Sequence, residues 1–213
     1  MKHKFILTSL FLLTGLFTGR NLHAQEYLVT GTDLCTDGSQ STKIGLSDSD
    51  TGKIYTLYHD GKFIGLKSVN LGKAPNIIDF GSFQEPGKYT VVEFTRENLD
   101  FKHPEKGRKI RGTISINKLP VQYVPQKLEF KSGTPLNYQP RADIEGCTFK
   151  WTARLTKGKA TGYKKSGEGM ITDKPELQGT EPACVTYSIT PISPAQLGSC
   201  MGNPLELVVW ILP

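Results

Sequence analysis

The last thirty residues, Cys184 to Pro213, constrain the fold of this chain more than any other stretch. They begin with an alternating run: Val185, Tyr187 and Ile189 share one face, and Thr186, Ser188 and Thr190 share the other. A period of two is the signature of a strand with one buried face. Pro191, Pro194, Gly198, Gly202 and Pro204 follow, too many breakers for anything but a loop. A second apolar strand, Leu205 to Leu212, completes a hairpin whose long loop carries Cys200.

The rest of the chain repeats this grammar. Strands are predicted over Glu26 to Asp33, Thr42 to Ser47, Lys53 to Tyr58, Asn76 to Phe80, Tyr89 to Thr95 and Lys109 to Asn117. Asp60-Gly61 turns the chain after Tyr58, and Phe63-Ile64 starts the return, as in a type I′ hairpin. Seven short strands in under a hundred residues is the count of an immunoglobulin-like sandwich. Leu119 to Pro125 carries two prolines and reads as a stiff connector. Beyond it, Lys127 to Phe130 and Thr134 to Tyr138 are predicted strands, and Cys147, Phe149 and Trp151 alternate with Thr148, Lys150 and Thr152. Trp151 is expected in a core rather than at a ligand. Pro86-Gly87-Lys88-Tyr89-Thr90 and Pro182-Ala183-Cys184-Val185-Thr186 each lead into a penultimate strand, as two copies of one sandwich would. No helix-period stretch follows the N-terminus, so the expected fold class is all-β.

The N-terminus is a targeting segment. Lys2 and Lys4 precede an apolar stretch from Phe5 to Phe17, and Leu22-His23-Ala24 precedes a cut before Gln25. The apolar run is shorter than the roughly 20 residues a membrane-crossing helix needs, so it reads as a secretory signal peptide. No cysteine stands at the cut, so a lipid anchor is not expected. Removal of residues 1–24 takes Lys2, Lys4 and Arg20 and no acid, which lowers the net charge from +6 to +3. So mild a charge does not suggest a nucleic-acid partner, which wants a concentrated basic patch. The local basic stretch Lys102, His103, Lys106, Arg108, Lys109 and Arg111 reads as a solvated loop and strand edge, with an anionic glycan or lipid headgroup as its less favoured use.

Three segments resemble a known family. VTYSITPIS with Cys-x-Gly-Asn-Pro (Cys200 to Pro204), Phe149-Lys150-Trp151-Thr152, and Gly167 to Asp173 stand in the order found in PKD-like domains of proteins secreted by Bacteroidota. The resemblance covers Cys147 to Pro213 and implies an immunoglobulin-like β-sandwich in a surface or secreted protein, usually non-catalytic; it implies no ligand. Cys35-Thr36-Asp37-Gly38 and Tyr55-Thr56-Leu57-Tyr58 resemble segments of other domains in surface proteins of the same group. Those domains carry a second cysteine in their last loop, and Glu97 to Arg108 has none.

Four cysteines in an oxidising compartment make disulfides possible, with three pairings in principle. In a sandwich, the loop before the third strand and the loop between the last two strands lie at one end. Cys147 ends the first and Cys200 lies in the second, so Cys147–Cys200 is the expected bridge. Cys35 and Cys184 are then free or weakly paired across domains.

Catalytic and metal-binding patterns are not found. Beyond the leader the histidines are His59 and His103, neither beside a cysteine or a second histidine. No zinc spacing, nucleophile elbow or glycine-rich phosphate loop appears. Asp48-Ser49-Asp50-Thr51-Gly52 resembles half of a calcium loop, but its twelfth position is His59 and not glutamate, so a polar turn is expected. No cofactor is expected.

These readings give two tandem immunoglobulin-like β-sandwich domains after a signal peptide: residues 1–24 signal, 25–118 first sandwich, 119–125 connector, 126–213 PKD-like sandwich. The expected function is a non-catalytic secreted or surface binding module that recognises a glycan or protein at the cell envelope, periplasmic or outside. The alternative is a structural subunit docked through its terminal strand; a small hydrolase using His59 or His103 is less favoured. Leu205, Leu207, Val209 and Ile211 are expected to face the core. Val208, Trp210 and Leu212 leave the other face apolar, an unusual state for an edge strand. They are the candidate partner patch, to be covered by the first domain, by the connector near Tyr123, or by a partner.

Overall fold

The computed structural model describes residues 27–68, 76–125 and 127–213. The signal peptide expected over residues 1–24 lies outside them. The described chain is built of short strands with two single-turn 3-10 segments, Pro104–Lys106 and Ala195–Leu197.

The first half contributes β1 (Val29–Thr30), β2 (Leu34–Thr36), β3 (Thr42–Leu46), β4 (Ile54–His59), β5 (Lys62–Ser68), β6 (Ile78–Phe83), β7 (Gly87–Phe94), β8 (Arg108–Lys109) and β9 (Ile114–Lys118). One sheet runs β1-β3-β6, and the other runs β2-β9-β7-β4-β5 with β8 beside β7. Between them lies a core that includes Ile44, Leu46, Tyr55, Leu57, Tyr89, Val91 and Ile116. The second half contributes β10 (Gln122–Tyr123), β11 (Lys127–Lys131), β12 (Arg141–Ala142), β13 (Thr148–Lys157), β14 (Ala160–Thr161), β15 (Ser166–Glu168), β16 (Glu176–Leu177), β17 (Ala183–Ile192) and β18 (Leu205–Leu212). Its main sheet runs β11-β18-β17-β13-β15, faced by the pairs β10-β12 and β14-β16. Its core holds Phe149, Trp151, Ile171, Val185, Tyr187, Ile189, Leu207, Val209 and Ile211.

The two halves share one topology. In each, an early strand lies parallel to the last strand: β2 on β9, and β11 on β18. The last strand pairs antiparallel with the penultimate one, which pairs with the strand carrying the central core aromatics. Third, penultimate and last strands together in one sheet, faced by earlier strands, is the immunoglobulin-like order. The chain is therefore two tandem immunoglobulin-like β-sandwiches. The two proline-led segments that echo each other in sequence enter β7 and β17, equivalent strands of the two copies.

Local chemistry explains the elements. Asp60 (φ 47°) and Gly61 (φ 77°) both take positive φ, as a type I′ hairpin between β4 and β5 requires. Tyr89, near the start of β7, donates its hydroxyl to the Glu85 carbonyl at 2.9 Å, the tyrosine corner of this fold. Trp151 is 4% exposed and meets Tyr187 edge-on at 5.7 Å. The strand expected over Lys109 to Asn117 is divided into β8 and β9, because Gly112 at φ 104° breaks the extended backbone. Thr134 to Tyr138 makes a single bridge, Tyr138 to Ile171, in place of a strand.

The outer face of the first main sheet is also covered. The β7–β8 loop folds back so that Leu99 packs on Tyr58, Val92 and Phe94, and Phe101 stacks on Phe63 at 4.5 Å. The basic stretch belongs to this cover. Lys106 pairs with Asp100 at 2.7 Å, His103 with Glu105 at 3.0 Å, and Arg108 with the buried Glu93.

Candidate binding site

Two regions follow from the sequence expectations: the outer face of β18, and the joint between the sandwiches.

On β18, Leu207, Val209 and Ile211 are fully buried in the core, as alternation demands, while Leu205 is 44% exposed. Leu205 leaves the expected inward set because it begins the strand beyond the core and lies at the joint. β18 is not an edge strand: Lys127 to Lys131 of β11 pairs in parallel along Val208 to Leu212, so those residues sit inside a five-stranded sheet. Trp210 is half-buried. The Lys127 ammonium stands 5.7 Å and the Lys157 ammonium 5.2 Å from its ring centroid. Two lysine stems thus shield the indole, each adding about 0.5–1 kcal/mol of cation–π attraction. Cys184, a buried free thiol, stands opposite Trp210 on β17. Of the apolar patch Val208, Trp210 and Leu212, Trp210 is thus shielded from within its own sandwich, and Val208 and Leu212 are partly buried beside it.

The joint is organised by Cys200. The expected Cys147–Cys200 bridge is not formed: Cys200 is bonded to Cys35 on β2, with Cα atoms 5.6 Å apart, and Cys147 and Cys184 are free. Strand register explains why. Thr148 pairs with Ile192, and Ser193 donates its backbone N–H to the Cys200 carbonyl at 2.9 Å. Extending the register by one residue puts Ser193 between Cys147 and Cys200. Two strand spacings, about 9.6 Å, exceed the ~7 Å that a disulfide spans. Burial and the neighbouring Asp143 carboxylate raise the Cys147 thiol above its ordinary pKa, which disfavours its thiolate. The cysteine missing from the first sandwich's last loop is therefore supplied by the second sandwich.

Around this bond the connector is held on both sides. Leu119 donates its N–H to the Thr36 carbonyl at 3.0 Å, in the first sandwich. Val121 donates its N–H to Asp143 Oδ1 at 2.8 Å, and Lys118 Nζ reaches Asp143 Oδ2 at 2.7 Å. The Lys118 hydrogen bond, with the Val121 N–H, lowers the Asp143 carboxyl below its usual range. Gln122 is 4% exposed and donates from Nε2 to the carbonyls of Ile189 and Asn203 at 2.5 and 3.1 Å. Gly202 lies so close to Pro120 that a Cβ there would stand 2.1 Å from its carbonyl oxygen. Val121, Tyr123, Leu205 and Met201 are 52%, 63%, 44% and 60% exposed around this joint. A 270 Å³ cavity opens between the connector and Asn203 and Leu205. A second cleft of 480 Å³ lies between Lys88 and Asn117 of the first sandwich and Ile144 and Leu197 of the second.

His59 and His103 each make local contacts. The His59 ring stacks on Tyr89 at 4.4 Å and its Nε2 lies 3.0 Å from the Pro86 carbonyl, while His103 faces Glu105. Asp48 and Asp50 form the expected polar turn: Asp48 Oδ1 accepts the Ser49 and Asn76 N–H groups, and Asp50 accepts the Tyr27 hydroxyl. That bond and burial push the Tyr27 phenol up to about 12. Among the described residues no group of three or more His, Cys, Asp or Glu side chains is placed to hold a metal ion, and no helix is long and apolar enough to cross a membrane.

Sequence reasoning missed the joint, although one signal pointed to it: a lone Cys-x-x-Gly in the first half and an odd cysteine in the second half's last loop. No curated protein matches the chain. Among solved structures, the chain is similar to human mucin-like protocadherin EC1-2 (TM-score 0.36, 9% identity, 89% of this chain and 100% of that one). It is also similar to the D0-D1 domain of intimin (0.30, 11%, 89% and 98%) and to murine CEACAM1b (0.33, 10%, 86% and 100%). Residues 129–213, nearly all of the second sandwich, match the family model of the PKD-like domain.

Proposed function

We propose that this chain is a secreted or surface-exposed, non-catalytic recognition module, divided at residues 119–125, that binds a protein or glycan at the cell envelope through the joint between its two sandwiches. The observation that carries this reading is the locked joint. Cys35–Cys200 and the Lys118–Asp143 pair hold two sandwiches against one connector, and half-exposed apolar side chains remain at that point. Function in sandwich proteins concentrates where loops are positioned by rigid scaffolds, and a disulfide between domains suits the oxidising compartment that the signal segment implies. Docking by strand addition to β18 is disfavoured, since β11 and β17 pair along Val208 to Ile211 on both sides.

The test is a glycan array and a pull-down from envelope fractions, with the secreted protein beside a Val121→Asp/Leu205→Asp variant. Retention of a protein or glycan by the wild type, lost in the variant at an unchanged melting temperature, is expected. Absence of retention by the wild type, or equal retention by both, overturns the reading.

A further inference from the structure

We infer that the cleft between Lys88 and Asn117 of the first sandwich and Ile144 and Leu197 of the second binds one sugar ring of a glycan. The inference goes beyond the recognition reading above, whose test is confined to Val121 and Leu205. It adds a second site, which shares only Lys118 with the cavity beside those two residues, and it assigns that site a ligand class.

Three polar side chains of the cleft have no partner among the described residues: the Lys88 ammonium, the Asn117 amide and the Gln196 amide. Lys88 and Gln196 are exposed. Asn117 follows the buried Ile116 on β9 and so faces away from the core. Its amide lies against Gly198 of the second sandwich, where a Cβ would stand 2.5 Å from Nδ2. Asn117 is half-buried but open, whereas Gln122 Oε1 and Trp151 Nε1 are the unpaired polar atoms sealed from solvent. The other polar groups of the lining are engaged. Asp60 Oδ1 accepts the Lys88 backbone N–H at 2.8 Å, and Lys118 Nζ is held by Asp143 at 2.7 Å. Pro86, Ile116, Ile144 and Leu197 supply the apolar surface, and Gly87 adds only backbone.

Size and charge choose the occupant. At 480 Å³ the cleft falls within the roughly 300–1,000 Å³ of small-ligand sites. An acyl chain or an apolar side chain of a protein would cover two amides and an ammonium without giving them hydrogen bonds, and each polar group so covered is costly. A phosphate would meet the Asp60 carboxylate on the wall that carries Lys88, and Lys118 is already paired. A pyranose suits both kinds of surface. Its C–H face lies on Ile144 and Leu197, and its hydroxyls, each a donor and an acceptor, pair with Asn117, Gln196, Lys88 and the remaining lone pairs of Asp60. The walls are set before the sugar arrives. The turn carrying Gln196 and Leu197 is closed by the Leu197 and Gly198 N–H groups on the Pro194 and Ala195 carbonyls, at 2.9 and 3.0 Å, and Cys200 bonds it to β2 beside Asn117. A site already ordered loses little to ordering on binding.

The probes are the methyl glycosides of glucose, galactose, mannose, N-acetylglucosamine and glucuronic acid, titrated into the full secreted protein and followed by amide shifts of residues 116–118 and 195–198. Cyclohexanol, a ring of similar size with one hydroxyl, is the paired control. At least one glycoside is expected to bind at millimolar concentration, and cyclohexanol about tenfold more weakly. Asn117→Ala and Gln196→Ala should each weaken the glycoside about five- to tenfold. Gln196 is exposed on a turn, so its variant tests the site where Asn117→Ala perturbs folding. Absence of shifts with every glycoside, equal binding of cyclohexanol, or undiminished binding by Gln196→Ala overturns the inference. The glycan array separates the two readings. A ligand lost in Val121→Asp/Leu205→Asp and kept in Gln196→Ala would leave the recognition reading standing while the sugar cleft fell. A glycan kept in the former and lost in the latter would overturn the Val121–Leu205 reading and support the cleft.

Discussion

Cys35 and Cys200 are bonded across 165 residues of sequence, one on the second strand of the first sandwich and the other in the closing hairpin of the second. On the chain-entropy account, a loop of that length is worth about 5 kcal/mol against a fully unfolded chain. Each sandwich also has its own core, so much of that constraint acts on how the two are held together. Peptide mapping of unreduced protein is expected to join Cys35 to Cys200 and to leave Cys147 and Cys184 as thiols. Cys35→Ser should leave both sandwiches folded, lower the melting temperature and speed proteolysis in residues 119–125. A map joining Cys147 to Cys200 would contradict the strand register.

The Lys118–Asp143 pair makes the joint sensitive to acid. The Asp143 carboxyl is lowered by the Lys118 hydrogen bond and the Val121 N–H. A carboxyl lowered on folding contributes stability that is complete above its ordinary value of about 4 and is lost as pH falls through its folded value. Wild type should therefore lose joint stability below about pH 4, and Asp143→Asn should flatten that part of the profile. Equal acid sensitivity of the two proteins, read from the low-pH arm of thermal melts, would remove this pair from the account.

Two glycines make opposite predictions. A Cβ on Gly202 would meet the Pro120 carbonyl at 2.1 Å and the Pro191 ring at 2.8 Å, both stiff neighbours. Gly202→Ala should cost about 1–3 kcal/mol by overpacking the joint. Gly65, on β5, has nothing within 4 Å of such a Cβ. Gly65→Ala should be close to neutral. Chemical denaturation of both variants checks this, and equal midpoints would mean the joint is looser than the contact implies.

The long strands β4, β7, β13, β17 and β18 were legible in sequence because their own side chains alternate, whereas the two- and three-residue strands β2, β10, β12, β14, β15 and β16 are too short to show a period. Tyr187, Ile189 and Trp151 reach the core for that reason, and Asp60-Gly61 turns as its composition requires. Pairing between distant segments was less legible. Whether β18 is an edge depends on β11, nearly eighty residues earlier, whose run Lys127 to Lys131 gives no sign of its parallel partner. The disulfide was misread for the same reason. Loop position alone brought Cys147 and Cys200 to one end of a sandwich, but the intervening Ser193 and the approach of the first sandwich are properties of the assembled fold. Nothing in the sequence marked Gln122, whose hydrogen bonds to Ile189 and Asn203 place it inside the joint.

Trp210 offers the sharpest check on the terminal strand. It stands opposite Cys184 in the β17–β18 register, and directly opposed residues share a face of the sheet. Cys184 is 4% exposed, and Lys157 and Lys127 lie over the indole. The indole and its two lysines thus form a lid over the thiol, built within one sandwich. Trp210→Ala should open that lid. Because the ring is half-buried, the stability cost should fall below the roughly 3–5 kcal/mol of a fully buried tryptophan, near 2 kcal/mol. Cys184 should then react with a thiol reagent under native conditions, where in the wild type it reacts only after denaturation. Lys157→Gln should lower stability by only about 0.5–1 kcal/mol, the worth of an exposed cation–π contact. If Trp210→Ala neither lowers the melting temperature nor exposes Cys184, the lid is not what buries the thiol. The apolar outer face of β18 would then owe its burial to a partner.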